Sequence, residues 1–182
     1  MRMKAAFFWM TMGIQAFFLI VSPSARADCP ACSTFGIQQF KQPKTAQPFS
    51  LKMTNGKEGS LSDFRGRPVL FFFWASWCES CKEEIALIEK FSQGKKDQLT
   101  IFLVAIDGEN TRRIERILKN EKITLPVFLD VKEKIARTYG IRMVPTAFLI
   151  DPEGNIVGTI VGQREWNAPE AWLAMKELFN LP

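Results

Sequence analysis

The sequence predicts an α/β fold, a central mixed sheet flanked by helices, and three observations lead there. Between residues 69 and 140, apolar runs of strand length alternate with segments of helical periodicity, an order that implies parallel strands joined by crossover helices. Two later apolar runs, Ala147-Phe148-Leu149-Ile150 and Ile156 to Val161, flank Asp151-Pro152-Glu153-Gly154-Asn155 and read as an antiparallel hairpin, which makes the sheet mixed. The length, 182 residues of which 47% are apolar, supplies one ordinary core and hardly two.

The elements follow in order. Met1 to Ala27 opens with Arg2 and Lys4, runs uncharged from Ala5 to Val21, breaks at Ser22-Pro23-Ser24 and closes on Ala25-Arg26-Ala27. This is the layout of a secretory signal peptide with an Ala-x-Ala cleavage site, so export is expected, with Asp28 as the mature N-terminus. An uncleaved N-terminal anchor is the second reading, because the apolar stretch of 17 residues approaches the length that spans a bilayer. Arg26-Ala27-Asp28 ahead of Cys29 lacks the small, apolar residues of a lipoprotein box. Residues 28–47, polar and spaced by prolines, are expected to be a tether carrying one Cys-x-x-Cys pair, Cys29 and Cys32.

Residues 48–182 then make the folded domain. A hairpin runs from Phe49-Ser50-Leu51-Lys52 to Ser60, turning at Asn55-Gly56, two residues that tolerate positive φ. Gly66-Arg67-Pro68 leads into Val69 to Trp74, a run short and aromatic enough to be a buried central strand. Ile85, Leu87, Ile88 and Phe91 recur at helical spacing, and Gly94 ends that helix. Leu99 to Ile106 is a second buried strand. The helix after it carries Ile114, Ile117 and Leu118 on one face, and Arg112, Arg113, Arg116 and Lys119 read as its solvated side. Leu125 to Asp130 is a third strand, and Glu133 to Tyr139 a short helix stopped at Gly140. Asn167 is expected to cap the last helix, with Pro169 and Glu170 in its first turn and Trp172, Leu173 and Leu178 turned to the sheet. Trp166 reads as a core or hinge aromatic.

The chemistry lies where the central strand ends. Trp77-Cys78-Glu79-Ser80-Cys81 places two cysteines at a strand-to-helix turn, Cys78 in the first helical turn and Cys81 one turn in. Unpaired N–H groups and the positive dipole end favour a thiolate there, which makes Cys78 the nucleophile. At about 100° per residue, Glu84, Ile85 and Ile88 fall within roughly 60° of Cys81, and Glu83 falls on the far side. A carboxylate on an apolar face is costly to ionise, so Glu84 should have a pKa near neutrality and exchange the proton of Cys81. The plainer alternative is a surface glutamate that reaches out to solvent.

Composition removes several classes. Three basic residues lie in the first 27 with no acid, which leaves 21 basic against 19 acidic groups in the remainder, no nucleic-acid footprint. The chain contains no histidine, so Ser-His and Cys-His nucleophiles, histidine-ligated metals and Cys-x-x-Cys-His haem attachment are all excluded. For Cys29 and Cys32 three readings stay open: a second redox pair exchanging with Cys78 and Cys81, a local disulfide, or half of a four-cysteine metal site.

Trp-Cys-x-x-Cys after a hydrophobic strand resembles the thioredoxin superfamily, and Phe73-Trp74-Ala75-Ser76-Trp77-Cys78 with Glu84 resembles its exported TlpA/ResA-type thiol–disulfide oxidoreductases. The resemblance runs from about Pro48 to the C-terminus and takes in the leading hairpin and Val144-Pro145-Thr146. It implies a thioredoxin-like fold with an N-terminal β-hairpin and a central αβ insert, and a redox-active disulfide between Cys78 and Cys81. It also implies a cis Pro145 facing the cysteines, a partner chain bound along Val144, and a shielding role for Trp77. Thioredoxin itself carries a buried aspartate six residues before its first cysteine; Phe72 stands there, which turns the proton work to Glu84. Relatives need no cofactor and reduce disulfides of apocytochrome c or other exported proteins, with electrons from a DsbD/CcdA-like membrane thiol donor. Glu79, Glu83 and Glu84, partly opposed by Lys82, disfavour a thiolate and so favour a reducing potential in the periplasm. Two rivals belong to other classes. A peroxiredoxin-like peroxidase needs Pro-x-x-x-(Thr/Ser)-x-x-Cys, which this loop does not provide, and a non-enzymatic metal-binding protein would use all four cysteines.

Overall fold

The computed structural model describes residues 28–182; the signal peptide or anchor expected at 1–27 lies outside them. Among the described residues no helix is long and apolar enough to cross a membrane.

The centre of the molecule is β4 (Val69–Trp74), all six of whose residues are buried. For the numbering, α1 is Pro30–Phe35, β1 Gln38–Thr45, β2 Ser50–Lys52 and β3 Glu58–Ser60; after β4 come α2 (Glu79–Ser92), β5 (Thr100–Ala105), α3 (Thr111–Asn120) and β6 (Val127–Leu129). The chain finishes with α4 (Lys134–Thr138), β7 (Thr146–Ile150), β8 (Asn155–Val161) and α5 (Pro169–Phe179). Six strands form one sheet in the order β1-β8-β7-β4-β5-β6. β4 pairs in parallel with β5, as the alternation of elements implies, and antiparallel with β7, the first strand of the later hairpin, so the sheet is mixed. A strand covered on both sides needs apolar residues at every position, which is why Val69 to Trp74 shows no polar alternation.

The β2–β3 hairpin stands apart as a two-stranded sheet and turns at Gly56, whose φ of 80° is open to glycine at no cost. Its Gly59 lies against the Phe128 ring, where a Cβ would come within 2.9 Å. Below it Phe49, Phe64, Phe71, Phe102 and Phe128 form a ring cluster, with Phe49 stacked on Phe71 at 5.0 Å and Phe102 edge-on to Phe128 at 5.2 Å. These rings bind the hairpin to the central strand.

Residues 28–47 correct the expected tether. α1 packs on α5, and β1 is an edge strand of the main sheet, pairing antiparallel with β8. The polar sequence Gln38 to Thr45 concealed this because an edge strand with most side chains in solvent needs no hydrophobic face. Pro43 falls where the β1–β8 register shifts between Gln39 and Lys44, a place where a missing N–H is tolerated. Two smaller corrections concern α5: its N-cap is Ala168 rather than Asn167, and Leu173 is half exposed while Ala171, Ala174, Met175 and Leu178 face the core.

Candidate active site

β4 delivers the chain to a short loop that is held before the helix begins. Ser76 donates its N–H to Asp107 Oδ1 at 3.0 Å and its hydroxyl to Oδ2 at 2.6 Å, and Asn110 Nδ2 donates to Oδ2 at 3.2 Å. Asp107 follows β5, so two adjacent parallel strands fix the loop that carries the cysteines. The sequence reading missed this anchor; an aspartate just past a buried strand was its one visible sign.

Cys78 is the N-cap of α2 rather than a residue of its first turn, and its Sγ accepts the Cys81 N–H at 3.2 Å. The two sulfurs are bonded at 2.08 Å, with Cα atoms 5.3 Å apart. Cys78 keeps 7% exposure and Cys81 none, so Cys78 is the more accessible of the two. The outer sulfur thus sits at the N-terminus of a 14-residue helix, the dipole end that stabilises a thiolate. Across from it the Val144–Pro145 peptide is cis, and Val144 O is 4.0 Å from Cys78 Sγ. Trp77 is 59% exposed and Met143 57%, two apolar faces in solvent beside the reactive turn; Met143 was not anticipated.

Glu84 is fully buried, one turn beyond Cys81 on α2. Its Oε1 accepts from Trp166 Nε1 at 2.7 Å and from the Arg164 backbone N–H at 3.2 Å, while its Oε2 has no protein partner among the described residues. Burial pushes its pKa up to about 7, against the downward pull of the Trp166 and Arg164 hydrogen bonds and the Arg164 charge. The other acids are solvated: Glu79 pairs with Lys82 at 2.5 Å on the surface, and exposed Glu83 accepts from Gln163. Trp166, read from sequence as a core aromatic, is buried but also supplies the shortest hydrogen bond to Glu84. A buried indole N–H usually finds an acceptor, and that tendency was the one hint in the sequence.

Cys29 and Cys32 form a second disulfide with Cα atoms 5.2 Å apart, and both sulfurs lie near Ala174 O of α5, at 4.0 and 3.9 Å. The four cysteines therefore make two separate pairs. Among the described residues no group of three or more histidine, cysteine, aspartate or glutamate side chains is placed to hold a metal ion.

The AhpC/TSA family model matches residues 43–159. Thiol-disulfide oxidoreductase ResA of Bacillus subtilis is 33% identical over 128 residues, covering 70% of this chain and 71% of its own. The crystal structure of a putative thiol:disulfide interchange protein DsbE from Chlorobium tepidum is similar with a TM-score of 0.67 at 27% identity, over 75% of this chain and 97% of that one. The pneumococcal exposed lipoprotein thioredoxin Etrx1 from Streptococcus pneumoniae matches with a TM-score of 0.61 at 30% identity, over 71% and 99%.

Proposed function

The chain belongs to the AhpC/TSA family and is a thiol–disulfide oxidoreductase of the ResA type, and from that premise we propose that it reduces disulfides of exported proteins through Cys78 and Cys81. The observation that carries the reading is the order of groups along α2: an outer sulfur at the N-cap, an inner buried sulfur, and a buried carboxyl with its pKa near 7 one turn further.

In the reduced enzyme the Cys78 thiolate attacks one sulfur of a partner's disulfide. The partner's S–S bond breaks, a mixed disulfide to Cys78 forms, and the partner's other sulfur leaves as a thiolate that takes up a proton. Glu84 then accepts the Cys81 proton at Oε2, and Cys81 attacks Cys78 Sγ. This closes the Cys78–Cys81 disulfide and releases the partner as a dithiol. A group with its pKa near the working pH serves as base in one half of the cycle and returns the proton in the other. The Val144 backbone before cis Pro145 pairs with the partner's extended chain, and Trp77 and Met143 supply apolar contact on either side.

The reducing direction is supported by the buried carboxyl, whose negative charge above pH 7 opposes a thiolate beside it. Export rests on Met1 to Ala27 and is in keeping with a relative that is an exposed lipoprotein. Outside the cytoplasm, in a periplasm or on a membrane surface, the reduced state must be restored by a DsbD/CcdA-like membrane thiol donor, and apocytochrome c is one substrate of the expected kind. A peroxiredoxin-type peroxidase is disfavoured by Phe71 and Ala75, which stand where its loop requires proline and a hydroxyl.

The test is trapping with Cys81→Ser in the native compartment. Covalent adducts with exported proteins, dissolved by reductant, are the expected result; no adducts while Cys78 stays titratable would sink the scheme. A midpoint potential near the strongly oxidising value of about −120 mV would reverse the direction.

A further inference from the structure

The second disulfide closes a helix that touches both hydrogen-bond donors of Glu84. α1 has six residues, too few to hold itself as a helix in water, and it depends on its crosslink and on its neighbours. At its N-terminus Ala31 N–H donates to Glu177 Oε2 of α5 at 3.0 Å. At its C-terminus the carbonyls left open by the helix end are taken by Arg164, whose Nε donates to Phe35 O at 3.1 Å and Nη2 to Gly36 O at 3.4 Å. Gly36 allows this approach, since a Cβ there would lie 2.6 Å from Arg164 Nε. The same Arg164 donates its backbone N–H to Glu84. The Phe35 ring meets Trp166 edge-on at 5.1 Å, and Trp166 is the second donor to Glu84. Phe35 stands three residues after Cys32, as Glu84 stands three after Cys81. Where the main helix has its carboxyl, α1 has the ring that steadies that carboxyl's partner.

We propose that the Cys29–Cys32 pair is a redox-sensitive control on the resolving step at Cys81, acting through Phe35, Arg164 and Trp166 as positioning residues for Glu84. This rests on the role given to Glu84 above. An external dithiol opens the pair by exchange: the Cys29–Cys32 bond breaks, each sulfur gains a proton, and the dithiol leaves as a disulfide. Both sulfurs then need contact distance from each other in a packed site where Cys32 is 1% exposed, and α1 loses its crosslink. Loosening α1 weakens the two donors that favour the ionised carboxylate, so Glu84 holds its proton more tightly and is less able to take one from Cys81. The charged groups acting on Glu84 are Arg164, which favours its ionised form, and Glu165, which opposes it; α1 brings no ionisable group besides its cysteines.

The test follows the indole N–H resonance of Trp166 from pH 5 to 9 in the full chain. The parent should titrate with a midpoint near 7 and Glu84→Gln should be flat. Cys29→Ser/Cys32→Ser should move the midpoint up by about half a unit or more, and slow resolution of a Cys78–glutathione mixed disulfide at pH 7 about twofold. If the double variant does not fold, Phe35→Leu, which keeps both disulfides, should give the same upward shift. An unmoved midpoint in whichever of these folds overturns the proposal and leaves the Glu84 reading standing. A parent resonance that does not titrate, or that still titrates in Glu84→Gln, removes the Glu84 reading and this proposal with it.

Discussion

The two Cys-x-x-Cys turns are nearly superimposable in their local description. In each, the first cysteine is an N-cap whose sulfur accepts the N–H of the second at 3.2 Å, the Cα separations are 5.2 and 5.3 Å, and the first cysteine keeps 8% or 7% exposure while the second is buried. What surrounds them differs. α2 runs 14 residues and carries a buried carboxyl one turn on; α1 runs six and carries Phe35. The loop before Cys78 is tied to Asp107 and faces cis Pro145, whereas the outer pair is covered by α5 at Ala174. The motif supplies a bond that can open. In the proposed function, helix length, the buried carboxyl and the edge at cis Pro145 are what turn such a bond into an exchange site.

The largest effect should fall on the inner pair. Cys78→Ser and Cys81→Ser should each reduce insulin-disulfide turnover to the buffer background, while Cys29→Ser/Cys32→Ser should stay within a few-fold of the parent. Equal losses from both pairs would erase the contrast.

Next in size is Glu84. As the acid–base group of the resolving step it should be worth about 10²-fold or more, so Glu84→Gln should slow mixed-disulfide resolution by that factor and abolish the rise in rate through pH 7. The same residue gives a stability prediction of definite sign. Its folded pKa, about 7, lies above the ordinary value of 4.5, so its contribution is fully present below pH 4.5 and is lost as pH rises through 7. Urea unfolding should therefore show Glu84→Gln gaining on the parent between pH 5 and 8.5, up to about 3 kcal/mol. A parent with flat stability across that range would mean the carboxyl is solvated.

Removing the outer crosslink should cost about 2 kcal/mol of unfolding free energy, the chain-entropy value for a loop of this size, measured as a lower urea midpoint with unchanged slope. The smallest effect is expected for Trp77→Ala, about 1 kcal/mol of partner binding, seen as a KM about fivefold higher for a protein substrate and an unchanged rate with a small aromatic disulfide. Equal changes for both substrates would place Trp77 in the chemistry rather than the docking.

Much of the inner site could be read from the chain because its signals are local. A buried central strand, a helix starting at Cys78 and a carboxyl on the apolar face all follow from spacing within residues 69–91, and periodicity reports neighbours along one element. Residues 28–47 read from sequence as a tether, and the state of Cys29 and Cys32 stays open there, because the supports of this segment are remote. Ala174 and Glu177, about 145 residues away, cover α1, and β1 is held by backbone hydrogen bonds to β8 that leave no trace in hydropathy. Trp166 is the core aromatic its sequence context suggests, but its hydrogen bond to Glu84 could not be read there, because the two are 82 positions apart.

By itself, then, the amino-acid order determined the alternating α/β layout, the Cys78–Cys81 turn and the placing of Glu84 on the apolar face beside it, since each depends on residues within two or three helical turns of one another. Only the tertiary structure decided what holds Glu84, where the edge strand goes, and that α1 and Glu84 of α2 both contact Arg164 and Trp166. Those outcomes depend on side chains brought together across the fold, whose pairing is set by packing and desolvation rather than by distance along the chain.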